Sequence, residues 1–149
     1  PALSGEGAYC EHQLCCCRAH IPFQTFYSAS KAAVSSYSYA LANEVKPYGI
    51  HVTVVELGDI CTGFTKARQK SILGDDEYGG RISRSVSQME HDEQNGMDPA
   101  RIGRYIAGIV EKKEPAVVYV AGAQYKFLSL LCKLLPAAAR GKIVGKIYG

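Results

Sequence analysis

Apolar and small residues begin to recur at spacings of three and four only after Ile21; the first 20 positions show no period and no capping signal. Pro22 and the polar pair Gln24-Thr25 precede a predicted helix of about twenty residues that ends near Lys46. Its stripe is Ala33, Val34, Tyr37, Leu41 and Val45, and Pro47 with Gly49 stops it. "GIHVTVVELG" then reads as a short, β-branched, mostly buried strand closed by Gly58. Residues 59–97 are polar, rich in glycine and only weakly helical in pattern, which marks a long functional loop or lid. "DPARIGRYIAGIVEKK" is a well-signalled helix, with Asp98 suited to the N-cap and Pro99 to the first helical position. Ile102, Tyr105, Ile106, Ile109 and Val110 form its apolar stripe. "PAVVYVAG" gives a second strand, and the remainder is helical in pattern, broken at Pro136. Helices alternating with two short strands predict an α/β chain with a parallel sheet.

Composition adds limits rather than direction. A chain of 149 residues with 47% hydrophobic and 21% charged content is an ordinary globular one. Its net charge of +3 gives no reason to expect nucleic acid as a partner. No apolar run reaches the roughly 18 to 20 residues of a membrane span. The opening "PALSGEGAYCEHQ" lacks the features of a signal peptide, so the expected location is cytoplasmic. Six cysteines include the adjacent Cys15, Cys16 and Cys17, flanked by His12 and His20. The run lacks the spacing of a disulfide framework or of a zinc site, and reduced thiols without a metal are the simpler reading.

The chemistry concentrates in "FYSASKAAVSSY". Tyr27 and Lys31 stand four apart, which on a helix stacks them on one face about 6 Å apart along the axis. A free phenol, with a pKa near 10, is a poor base at neutral pH. A neighbouring ammonium favours the phenolate, so the phenol can exchange a proton with a substrate oxygen.

"YSASKAAV" followed by "LANEVKPYGIHVTVVELGDICTGFT" resembles the short-chain dehydrogenase/reductase family, most closely over residues 21–65. The resemblance implies a partial Rossmann-like, doubly wound parallel sheet: residues 21–149 as the C-terminal half, with the cofactor-binding N-terminal half missing and residues 1–20 unrelated. It implies Tyr27 as catalytic acid/base and Lys31 as the group that binds the nicotinamide ribose and supports the phenolate. Gly58, Ile60 and Thr62 would lie beside the nicotinamide, Ile60 through its backbone. Residues 63–95 would form the substrate lid. The implied cofactor is NAD or NADP, with NADP slightly favoured, and the substrate a hydrophobic carbonyl compound or alcohol. Residues 124–148, with Tyr125, Phe127, Leu128, Leu131, Leu134 and Leu135 among lysines, suit peripheral membrane contact, or else a core or dimer-packing helix. Helix 28–46 would pair copies in a homo-oligomer.

The sequence also departs from that pattern. "SGEG" at residues 4–7 lacks the spacing and preceding strand of a phosphate-binding loop. The place of the family's catalytic serine falls on Leu14, with only a weak thiol donor at Cys15 beside it. Leu57 stands where the family has proline, which removes a fixed φ from the following turn. The expectation is therefore impaired turnover and weak cofactor binding in this chain. The alternative is a non-catalytic fragment that docks onto an intact subunit or a membrane surface.

Overall fold

A computed structural model describes residues 8–14 by their backbone, and 21–67 and 73–148. The runs Cys15–Cys17 and "SGEG", together with His20, lie outside the described residues. Among the described residues three parallel strands form one sheet in the order β1-β2-β3, where β1 is Ala8–Leu14, β2 is His51–Leu57 and β3 is Val118–Val120. β1 runs in register with β2 from Ala8 opposite His51 to Leu14 opposite Leu57. β3 pairs with Val54 to Glu56. The sequence pattern predicts two strands, and the third is β1. "AYCEHQL" has no run of β-branched residues, so its strand rests on pairing with β2 rather than on propensity.

β2 is buried at every position after His51, as expected of a central parallel strand covered on both faces. Helix α1 (Thr25–Val45) packs along β2. Its buried positions are Ser38 and Ala42, and the predicted stripe is displaced: Tyr37 is 62% exposed and Ala33 is exposed too. Small side chains let the helix approach the sheet closely, while Ala29, Ala32, Ala33, Tyr37 and Ala40 face outward. A 3-10 turn at Lys46–Tyr48 and the left-handed Gly49 carry the chain into β2.

The loop predicted over 59–97 contains the four-residue helix α2 (Phe64–Ala67) and a well-formed 14-residue helix, α3 (Arg81–Gln94). Ser85 and Met89 are its buried positions. The polarity of α3 hides it in a hydropathy reading. Its N-terminus is fixed from a distance by Asp75, whose carboxylate accepts from the Ile82 and Ser83 N–H groups at 2.9 and 3.1 Å and from the Ser83 hydroxyl. Helix α4 (Pro99–Val110) follows with the predicted cap, Asp98 accepting from the Ala100 N–H at 3.0 Å. Ile102 and Ile109 of α4 meet Val55, Leu57 and Ala121 in the main core, and Ile60, Met97, Tyr105, Ile106 and Tyr119 pack around them. α5 (Ala123–Leu134) and α6 (Ala137–Tyr148) complete the chain, divided at Pro136. No described helix is long and apolar enough to cross a membrane.

Candidate active site

Tyr27 sits in the first turn of α1 and Lys31 one turn later, both half-buried. The helix starts without a side-chain cap; instead the Ser28 N–H closes on the Gln24 carbonyl at 2.9 Å. Lys31 Nζ lies 5.8 Å from the centroid of the Tyr27 ring, within cation–π range. Ser30 and Ser35 donate to the carbonyls of Tyr27 and Lys31 at 2.8 and 3.1 Å, which ties the small side chains of this run to the backbone. The ammonium and the phenol ring are thus neighbours on one face of α1.

The segment leading into α1 is pinned by the stretch between β2 and α4. Phe23 has a left-handed backbone (φ 62°), unusual for an aromatic residue, and its ring meets Tyr78 edge-on with centroids 5.8 Å apart. Gln24 donates to the Met89 sulfur, and the Ser85 hydroxyl contacts the Pro22 carbonyl at 3.5 Å. At its other end the stretch returns to where it left: Met97 N–H donates to Asp59 C=O at 2.8 Å, and Cys61 N–H to Met97 C=O at 3.0 Å. Those two bonds make a parallel bridge between Ile60 and Met97. Ile60's own N–H and C=O take no part in it and, by the alternation of a parallel ladder, face the opposite side.

Gly58 is buried directly after β2, and its lack of a side chain is required. A Cβ there would stand 1.9 Å from the Tyr125 ring. The Tyr125 hydroxyl accepts from the Asp59 N–H at 3.0 Å and donates to the Asp59 carboxylate at 3.2 Å. Burial, outweighing the Tyr125 hydrogen bond, pushes the Asp59 carboxyl above the usual carboxylate range, and Asp92 and Glu93 add to this. Burial, helped by the Asp59 charge, likewise raises the Tyr125 phenol. Thr62 is exposed. Leu57, in place of the proline, is fully buried in the core. The following turn takes its rigidity from Met97 and Tyr125 rather than from a proline ring.

Two groups of predicted residues therefore stand at the carboxyl side of the sheet, where open α/β folds bind ligands. Tyr27 and Lys31 share a face of α1; Gly58 and Ile60 share the locked turn after β2. Ile21, just ahead of α1, lines the same cavity as Gly58 and Asp59. Leu14, in the serine's place, ends β1 and is described by its backbone alone. Asp59, Met97 and Tyr125 were not legible as site residues. Their contacts join positions far apart in sequence, and no local motif announces them.

A family described as short chain dehydrogenase matches residues 15–72. The chain is 46% identical over 97 residues to a 3-ketodihydrosphingosine reductase of Bacteroides thetaiotaomicron, covering 64% of this chain and 36% of that protein. It is 40% identical over 52 residues to a very-long-chain 3-oxoacyl-CoA reductase of Phaeosphaeria nodorum, covering 35% of this chain and 15% of that one. In fold it is similar to the crystal structure of a short-chain dehydrogenase from Streptomyces avermitilis, with a TM-score of 0.62 and 21% identity over 93% of this chain and 50% of that one. The chain thus spans half or less of the length of each of these proteins.

Proposed function

This chain belongs to the short-chain dehydrogenase/reductase family, and from that premise we propose that it carries the proton-transfer half of an NAD(P)-dependent reduction of a hydrophobic ketone to a secondary alcohol. The observation that carries the reading is the Lys31 ammonium 5.8 Å from the Tyr27 ring. Tyr27 gives its hydroxyl proton to the carbonyl oxygen as that oxygen becomes an alkoxide, and takes it back in the oxidative direction. Lys31 stabilises the phenolate left behind and presents donors to ribose hydroxyls. Ile60 offers its outward N–H and C=O to the carboxamide. A bound nicotinamide cofactor supplies the hydride, and the chain supplies position and proton. The stretch between β2 and α4, pinned at Phe23, Pro22 and Gln24 on one side and at Asp59–Cys61 on the other, is the lid of this reading, and its role is to shield the reacting atoms from water. Both similar reductases are named for a keto or oxo group at carbon three of a long-chain compound, which makes a long-chain 3-keto compound the substrate to try first.

The test has two stages. Nicotinamide fluorescence during titration with NADPH and NADH is expected to show saturable binding, NADPH the tighter. Reduction of 3-ketodihydrosphingosine is then expected to fall by roughly 10²–10⁴-fold in Tyr27→Phe. Undiminished reduction by Tyr27→Phe would remove the tyrosine from the mechanism, and absence of cofactor binding would remove the hydride source.

A second reading is favoured by the surface of α5. Phe127, Leu130 and Leu134 are 69%, 56% and 74% exposed beside Lys126 and Lys133, the pattern of an interfacial helix. We assign this face to peripheral contact with an anionic bilayer. Co-sedimentation with phosphatidylserine-containing liposomes is expected, and a chain that stays in the supernatant sinks the idea.

A further inference from the structure

Between α5 and α6 lies a cavity of about 160 Å³ that touches the Gly58–Asp59 turn. Leu128, Leu131, Leu135, Ile143 and Ile147 line it. Leu128, Ile143 and Ile147 are also exposed, so the cavity opens to the surface between the two helices. An apolar cavity of about 150 Å³ accommodates benzene, so this one has room for roughly a six-carbon stretch, with the mouth left for the rest of a chain.

Two charged residues interrupt the apolar wall, Arg140 and Asp59. Arg140, in the first turn of α6, reaches into the cavity lining, and its Nε is buried with no hydrogen-bond partner. A guanidinium keeps its charge at all ordinary pH and has no acceptor function, so a buried N–H of this kind is satisfied only by an oxygen brought to it. The two helices that wall the cavity favour an anionic one; the acid that reaches its edge from α3, Asp92, accepts from the Tyr148 hydroxyl at 2.8 Å. Residues 123–148 contain Lys126, Lys133, Arg140, Lys142 and Lys146 and no aspartate or glutamate. Asp59, the acidic residue of the lining, already shares its carboxylate with the Tyr125 hydroxyl.

We propose that this cavity is a binding site for a single-chain anionic amphiphile, with the alkyl chain along the Leu–Ile wall and the acidic head group on Arg140. The site goes beyond the carbonyl chemistry, because binding there needs neither Tyr27 nor a nicotinamide. Its occupant would stand against the turn that the proposed reaction uses.

Isothermal titration calorimetry of the 149-residue chain with decanoate, decanol and decylamine tests it. Decanoate is expected to bind saturably, at least about tenfold more tightly than decanol, with decylamine weakest. Arg140→Gln is expected to reduce decanoate to the affinity of decanol while leaving decanol unchanged, and Arg140→Lys to keep most of the preference. Leu131→Phe, which fills the cavity, is expected to weaken both ligands. Circular dichroism reports whether each variant is folded; if Arg140→Gln is not, Arg140→Lys and the head-group series on the native chain decide. Absence of decanoate binding, equal affinity for decanoate and decanol, tightest binding of decylamine, or decanoate affinity unchanged in a folded Arg140→Gln would each overturn the proposal.

Discussion

Gly58 and Tyr125 are two halves of one fitted contact. With a Cβ on Gly58 placed 1.9 Å from the ring, Gly58→Ala forces either the ring or the turn to move. Overpacking of this kind costs about 1–3 kcal/mol. The same substitution in a Tyr125→Ala background is expected to cost much less, and a urea-denaturation cycle over the four proteins measures the difference. Asp59 adds a pH signature. Its carboxyl is raised by burial, so the fold favours the protonated form. The stability it contributes is complete below the ordinary carboxylate pKa and is lost as pH rises through the raised value. Asp59→Asn is expected to flatten that decline, seen as a smaller drop in urea midpoint between about pH 4 and pH 7. At this scale the sequence was half legible. Helical spacing puts Tyr27 and Lys31 on one face and the family resemblance supplies their expected roles, whereas Asp59 and Tyr125, 66 positions apart, meet only through the fold.

Among the elements, α4 was readable because Asp98, Pro99 and the Ile102–Ile109 stripe agree with one another. α3 was not, because its few apolar positions lie in a strongly polar run and its cap comes from Asp75, well outside the helix. Hydrogen bonds from Ser83, then from Ile82, hold the Asp75 carboxyl below the usual range. The sign is opposite to that of Asp59: the stability is present above the ordinary carboxylate pKa and is lost as pH falls through the depressed one. Asp75→Asn is therefore expected to weaken α3 at neutral pH and to remove its acid sensitivity. Hydrogen exchange at the Ile82 and Ser83 amides reads this directly, and unchanged protection would count against the distal cap. α3 also holds the segment ahead of α1, through Met89 to Gln24 and Ser85 to Pro22, so a weakened α3 is expected to loosen the start of the tyrosine-bearing helix too. The predicted stripe of α1 erred for a related reason. Hydropathy picks out Tyr37, while the close approach to β2 selects the smaller Ser38 and Ala42.

For the molecule as a whole, alternation of helix and strand was enough to read a parallel α/β sheet, but not to count its strands. β1 carries little strand propensity and is identified by its register with β2. That makes β2 the hub: one neighbour comes from residues 8–14, the other from residues 118–120, and Glu56 on the hub finds Ser129 a full 73 positions downstream. The strands lie in space in the order in which they are synthesised, but a long segment separates the second from the third. A ribosome adding about 5–20 residues per second finishes β2 roughly three to twelve seconds before β3 exists. Throughout that interval the strand that ends up buried on both faces has one bare edge, the situation in which a nascent polypeptide finds the wrong partner. The pace of translation across residues 58–117 is therefore part of how this sheet is made.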